Sequence, residues 1–161
     1  MRRPLTLPTV KADDPCPRTA GQRIARIEGT VLGDGPVYIQ GPGADEVVYL
    51  GDGPMAGDHR AIPLRWVMSP GQVGPILIRG RALDGSDGLR FGIEDPQPEL
   101  PVWQRINAET RDWMVWRRTA DDIAVPGPGC YAVQIDGLDF SQVIVFEVVA
   151  GAAPGDKATQ L

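Results

Sequence analysis

Basic residues, histidine and long apolar runs are all scarce in this sequence. Lysine and arginine number 16 against 21 acidic residues, a net charge of −5, which disfavours nucleic acid as a partner because its backbone is bound by clustered basic side chains. A single histidine, His59, would have to serve any Ser–His–Asp or Cys–His catalytic group. No apolar run is long enough to insert in a membrane. These shortages predict a protein that is not an enzyme and that has no cofactor or metal.

Cysteine is also rare, with only Cys16 and Cys130. An even count fits one disulfide in an oxidising compartment, and it equally fits two free thiols in a cytoplasmic protein. Residues 1–3 are basic, but the stretch after them is too short and too broken by proline for the apolar core of a signal peptide. A secreted protein would therefore need a leader that has been removed.

Glycine and proline, by contrast, are abundant, with 20 and 16 residues. Such a composition favours short strands joined by turns over long helices. The clearest signal is a C-terminal hairpin, in which residues 130–136 alternate Tyr131, Val133 and Ile135 on one face and residues 143–149 form the return strand. About eight or nine such strands predict an all-β fold, an immunoglobulin-like antiparallel β-sandwich.

Other strands are predicted earlier in the chain. Residues 22–32 form a first strand with imperfect alternation, and residues 60–68 place apolar side chains two apart. Residues 75–83 and 89–93 flank a compact glycine-containing turn and predict a second hairpin.

The same patterns divide the chain into three parts. Residues 1–21 predict an extended N-terminal arm, residues 22–150 a single sandwich domain, and residues 151–161 a disordered tail of small and polar residues. Tyr131 follows a glycine turn at the start of its strand, which is the position of a tyrosine corner. We expect its ring in the core and its hydroxyl bonded to the preceding loop.

Three segments carry a resemblance to a known group of proteins. They are Cys-Pro-Arg-Thr at residues 16–19, residues 74–84 with 89–91, and Pro-Gly-Pro-Gly-Cys-Tyr at the start of residues 126–146. In these segments the chain resembles uncharacterised bacterial secreted proteins and lipoproteins of immunoglobulin-like fold. The resemblance implies a disulfide between the two cysteines, which pins the arm near the last hairpin, and a secreted or cell-envelope location. It implies no activity.

Three of the four tryptophans fall within residues 103–116. A sandwich core needs about one, and Trp113 and Trp116 would point to opposite faces of a strand. Tryptophan and arginine are enriched in binding hot spots, and flat rings also stack on sugars. We therefore predict a ligand-binding set of Trp103, Trp113, Trp116 and Arg117. The alternative is that the tryptophans cover an open end of the sandwich as additional core.

The remaining polar residues are better explained by loops and turns. His59, between Asp58 and Arg60, is predicted to be a solvated loop residue. The carboxylates near the second hairpin suit its turn, and counting from Asp84 a helix-loop-helix calcium loop fails because its sixth position is Leu89 instead of glycine.

Three functions are consistent with these observations. The first is a non-enzymatic extracellular or cell-envelope binding or adhesion module for an unidentified protein or glycan. The second is a structural accessory domain or subunit that packs its tryptophan-rich segment against another chain. The third is a carbohydrate-active hydrolase that uses paired carboxylates such as Asp136 and Asp139. The third is the weakest because the chain offers few acid and base groups, so no residue is assigned as catalytic.

Overall fold

Every regular element described in the computed structural model is a β-strand. The structure describes residues 2–102, 117–119 and 122–154, with the backbone alone for residues 117–119. The prediction of an all-β protein is confirmed, but the described residues form fourteen strands instead of eight or nine, because closely spaced turns leave five strands of only two residues. The strands are β1 (Gly21–Gln22), β2 (Val31–Leu32), β3 (Val37–Gln40), β4 (Val48–Tyr49), β5 (Met55–Ala56), β6 (His59–Ile62), β7 (Arg65–Met68), β8 (Ile76–Ala82), β9 (Arg90–Phe91), β10 (Glu99–Val102), β11 (Arg117–Thr119), β12 (Ile123–Val125), β13 (Gly129–Asp136) and β14 (Ser141–Val149).

The strands form three sheets that pack on one core. Sheet A has the order β1-β2-β3-β7-β11, sheet B the order β10-β8-β13-β14-β4, and sheet C the order β5-β6-β12-β9. Among the described strands only β4 and β14 pair in parallel. All three sheets contribute to the main hydrophobic cluster, with Trp66 and Phe146 as its largest fully buried side chains. This arrangement fits a β-sandwich.

The C-terminal hairpin forms as predicted. Strands β13 and β14 pair antiparallel over the whole of β13, from Gly129 opposite Val148 to Asp136 opposite Ser141. The Tyr131 ring is 98% buried and stacks on Phe146 with ring centroids 5.8 Å apart. Its hydroxyl donates a hydrogen bond to the Gly127 carbonyl oxygen at 2.6 Å. The bond from this hydroxyl to the preceding loop is therefore confirmed.

Replacing Tyr131 with phenylalanine is expected to lower the free energy of unfolding by about 0.5–1.5 kcal/mol, because it removes one hydrogen bond and keeps the packed ring. Tyr131→Ala should cost about 3–5 kcal/mol through the lost core volume. Burial raises the pKa of Tyr131 to about 12, so the hydroxyl remains a donor at neutral pH. Urea unfolding of the three proteins measures both effects. A phenylalanine variant as stable as the wild type would contradict a stabilising role for the hydroxyl.

Two of the predicted strands are divided in the structure. Residues 60–68 form β6 in sheet C and β7 in sheet A, because Pro63 has no N–H to continue a ladder and Leu64 N bonds back to Ile62 O at 2.8 Å. Residues 22–32 pair only at their two ends, as β1 and β2.

The second predicted hairpin is wrong beyond its turn. The bonds Ala82 N to Asp87 O at 2.8 Å and Leu89 N to Gly80 O at 3.1 Å close the turn. Strand β9 then leaves β8 and pairs with β12 in sheet C. A strand of two residues is too short for its alternation to show which neighbour it will take.

The N-terminal arm lies on the outer face of sheet B. A disulfide joins Cys16 to Cys130, as the resemblance implied, with the two Cα atoms 5.5 Å apart. The arm residues Leu7 and Val10 pack on a second cluster that includes Ala132. The predicted boundaries at residues 21 and 150 stay predictions, and most of the predicted tail lies outside the described residues.

The arm also reaches one edge of sheet B. Thr19 N donates to the Val145 carbonyl oxygen at 2.9 Å, and the Thr19 hydroxyl accepts from Val145 N at 2.9 Å. Both bonds lie on the side of β14 away from β13, where none of the described strands pairs with Val145.

Candidate functional site

The predicted binding set lies almost wholly beyond the described residues. Trp103, Trp113 and Trp116 are outside the described ranges, and Arg117 is described only as the first backbone position of β11. The structure therefore does not test whether these four residues come together.

The strands on either side of the tryptophan-rich segment do show where that segment is attached. Before it, β10 ends at Val102, opposite Ile76 at the start of β8. After it, β11 begins at Arg117, opposite Met68 at the end of β7. Since one short loop connects β7 to β8, both attachment points lie at the same end of the sheets.

Two described turns at this end carry exposed apolar side chains, and we call them the Leu138 end, defined by residues 69–75 and 137–140. The second turn belongs here because Asp136, which precedes it, pairs with Leu77 near the start of β8. Leu138 is 64% exposed and Val73 is 41% exposed. A Cβ placed on Gly74 would lie 3.3 Å from Leu138 Cδ1, so the Leu138 side chain reaches the neighbouring loop.

Arg3 from the arm holds the Leu138 turn in place. Its Nη1 donates to the carbonyl oxygens of Gly137 at 2.8 Å and Phe140 at 2.9 Å, and its Nη2 donates to Leu138 O at 3.3 Å. The turn closes on itself through Gly137 N to Phe140 O at 2.9 Å. Leu138 is therefore an exposed apolar side chain on a backbone fixed by four hydrogen bonds.

A buried charged cluster lies directly behind this turn. Asp136 is fully buried and accepts hydrogen bonds from Arg79 Nη2 at 2.7 Å, the Ser141 hydroxyl at 2.7 Å and Gln134 Nε2 at 3.1 Å. Burial favours the neutral acid, but the bonds from Ser141, Gln134 and Arg79 outweigh it and hold the pKa of Asp136 below its usual range. Because these partners occupy Asp136, a hydrolase would have to break a structural ion pair to use it.

The same cluster binds the backbone of the arm. Gln134 Oε1 accepts from Thr6 N at 2.7 Å, and Gln134 Nε2 donates to Pro4 O at 2.9 Å. Arg79 Nη2 donates to Arg3 O at 2.6 Å. Gln134 and Arg79, which are 98% and 91% buried, therefore bind main-chain atoms of the arm.

The prediction of a solvated loop histidine is wrong. His59 begins β6 and is 7% exposed, because the β5–β6 pairing turns its ring inward. Its Nδ1 lies 2.7 Å from Asp58 Oδ1, and its Nε2 lies 3.0 Å from Gly88 O. The hydrogen bond to His59 lowers the pKa of Asp58. Both ring nitrogens are occupied, so His59 joins two turns and is not placed to act as a base.

The other candidate carboxylates and metal ligands of the described residues have structural partners or stand apart from one another. Asp84 Oδ2 accepts from Cys130 N at 3.3 Å, so it supports the turn before the hairpin. No three His, Cys, Asp or Glu side chains of the described part of the chain lie where they could hold a metal. In the same part no helix is long and apolar enough to span a membrane.

Leu138 was not among the binding residues predicted from the sequence. A leucine in a predicted hairpin turn could have indicated it, since such turns are usually built from polar residues and glycine. The arm contacts could not be read in this way, because those of Gln134 join residues 128 and 130 positions apart and that of Arg79 spans 76 positions. The chain matches no family model, no curated protein and no solved structure.

Proposed function

We propose that this chain is a non-enzymatic extracellular or cell-envelope binding module and that its binding surface is the Leu138 end. The observation that carries the proposal is the exposure of Leu138 and Val73 at the end where the tryptophan-rich segment is attached. Adjacent exposed apolar side chains are a feature of interaction sites. A backbone already fixed by Arg3 lowers the entropy lost on binding.

A protein is the ligand that this surface favours. Aliphatic side chains such as Leu138 gain free energy by burial against another apolar surface, whereas sugars are held by flat rings and hydrogen bonds. Trp103, Trp113, Trp116 and Arg117 stay predicted binding residues in this proposal, since tryptophan and arginine supply much of the energy of protein interfaces. A glycan ligand is the competing outcome of the test below.

The compartment and the scaffold are supported by separate observations. The Cys16–Cys130 disulfide indicates an oxidising environment, which supports an extracellular or cell-envelope location over a cytoplasmic one. The bond from the Tyr131 hydroxyl to Gly127 O supports an immunoglobulin-like sandwich, because that fold uses a tyrosine at the same kind of corner.

The test compares capture by two variants of the Leu138 end. Immobilised wild type, Leu138→Asp and a Trp113→Ala, Trp116→Ala variant are incubated with secreted and envelope proteins, and the captured proteins are quantified by mass spectrometry. We expect each variant to capture at least about tenfold less of a protein that wild type captures, because the loss of hot-spot residues weakens binding by this amount. Met55→Asp is the matched control, because Met55 is 49% exposed on β5 in a different sheet.

Two results would contradict the proposal. Capture that is equal for wild type and both variants would exclude the Leu138 end as a protein-binding surface. A glycan array on which wild type binds and the tryptophan variant does not would replace the protein ligand by a sugar.

Light scattering after gel filtration tests the alternative that the chain is a subunit. If wild type is an oligomer and Leu138→Asp dissociates it, this end packs against another copy.

A further inference from the structure

The buried ring of His59 lies between two hydrogen-bond acceptors. Its Nδ1 is 2.7 Å from a carboxylate oxygen of Asp58, and its Nε2 is 3.0 Å from the carbonyl oxygen of Gly88. A carboxylate and a carbonyl can only accept, whereas a neutral imidazole donates from one nitrogen and accepts at the other. The two bonds therefore exist together only when both ring nitrogens carry a proton.

We propose that His59 is a pH-dependent bridge between sheet C and the turn at residues 84–88, complete when the ring is protonated and broken at Gly88 when the ring is neutral. The bridge needs no ligand, and it is independent of the binding function proposed above. Histidine is the side chain that ordinarily changes its charge between about pH 5 and pH 8. His59 is the only histidine of the chain.

The bond to Gly88 is the one that a neutral ring loses. The single proton of that ring stays on Nδ1, because a charged acceptor such as Asp58 forms the stronger hydrogen bond. Nε2 then presents a lone pair to the Gly88 carbonyl oxygen, and two acceptors face each other without a proton between them. Because the His59 side chain is only 8% exposed, little water reaches the ring to replace the lost donor.

The charged groups around the ring leave the histidine itself as the group that changes charge. The hydrogen bond from the ring lowers the pKa of Asp58, and the positive charge of Arg90 lowers it further, so Asp58 is an anion where histidine titrates. On β6 itself, Arg60 donates to the loop before β5. Strands β5 and β12, which flank β6, contain no charged residue. The turn contributes two carboxylates, Asp84 and Asp87.

The bridge lies where the chain passes from one sheet to another. Strand β8 belongs to sheet B and β9 to sheet C, and Gly88 lies between them. The turn has its own closing bonds, from Ala82 N to Asp87 O and from Leu89 N to Gly80 O, and these do not involve the histidine. Loss of the proton therefore leaves the turn closed but detaches it from β6. Mild acid attaches the turn to sheet C, and mild alkali releases it.

The first experiment follows the ring of His59 in the wild-type chain, labelled with ¹⁵N, by NMR between about pH 5 and pH 8.5. Because the chain has one histidine, its two ring nitrogens give signals of their own, and their chemical shifts distinguish protonated from bare nitrogen. We expect both nitrogens to be protonated at the acid end, and Nε2 alone to lose its proton at the alkaline end. A ring whose protonation is the same over the whole range, or that loses the Nδ1 proton first, would overturn the proposal.

The second experiment follows the backbone amide signals of Gly88 and Leu89 in the same titration. In wild type they should shift together with the ring nitrogens, because the bond to the Gly88 carbonyl oxygen is lost at that point. A His59→Gln variant has no group that titrates at this position, so its amide signals should stay constant. Asp87→Asn is the matched control, since it removes a carboxylate of the turn and should keep the shift.

Two results of this second experiment would refute the bridge. One is a wild-type ring that loses its proton while the Gly88 and Leu89 signals stay unchanged. The other is an amide shift that persists in His59→Gln, since the titrating group would then lie elsewhere. Circular dichroism establishes first that both variants are folded, and the wild-type titration decides the proposal even if His59→Gln does not fold.

Discussion

A Cys16→Ser, Cys130→Ser variant is expected to lose about 4–5 kcal/mol of the free energy of unfolding. The disulfide joins residues 114 positions apart, and closing a loop of that length restricts the unfolded chain by about this amount in the chain-entropy model. Urea unfolding of the variant, and of reduced wild type, measures the loss. The two should agree, because both remove the same crosslink.

The matched control for this prediction lies two residues from the disulfide. Arg18→Ala removes an ion pair with Glu147 at 3.7 Å between partly exposed side chains, and it should cost no more than about 1 kcal/mol. A disulfide variant with the same free energy of unfolding as wild type would contradict this prediction, because the crosslink would then not restrict the unfolded chain.

Asp136→Asn is expected to lower the free energy of unfolding by about 3–5 kcal/mol at pH 7, because it leaves the Arg79 guanidinium buried without its counter-ion. Asp139→Asn is the matched control, since Asp139 is an exposed carboxylate in the adjacent turn. Its effect should stay within about 0.5 kcal/mol. A neutral Asp136→Asn variant would show that the buried pair is dispensable to stability.

The same variant should also change how stability depends on pH. The folded-state pKa of Asp136 lies below its unfolded value, so the ionised carboxylate contributes its full stabilisation above about pH 4 and loses it as pH falls through the folded pKa. The difference between wild type and Asp136→Asn should therefore be largest near neutral pH and shrink in acid. Unfolding curves at pH 7 and pH 3 measure it, and a constant difference would contradict the assignment.

Strict alternation of apolar side chains made the C-terminal hairpin predictable. The short strands have too few residues to show such alternation, so their pairing was not predicted. Residues such as Val133 and Ile144 alternate over eight or nine positions in β13 and β14, which is long enough to fix both pairing and the buried face. Strand β9 has two residues, so its partner depends on tertiary packing. His59 could not be recognised as buried for the same reason, because the short β5–β6 pairing turns it inward.

The candidate site was only partly readable for a different reason. The outer face of β13 carries Gln134 and Asp136, which in sequence are typical of a face turned to solvent. The arm that covers them is about 130 residues away in the chain, and no local pattern reports such a contact. The disulfide was expected through a resemblance, and it was the one sign that the arm returns to this sheet.

The position of Thr19 has a consequence for solubility. An uncovered strand edge can pair with the edge of another molecule and start aggregation. By taking both main-chain groups of Val145, Thr19 blocks that edge of β14 much as a short extra strand would. Molecules that lose the arm would therefore expose a strand edge on which other molecules could add strands. The arm thus opposes aggregation in addition to stabilising the fold.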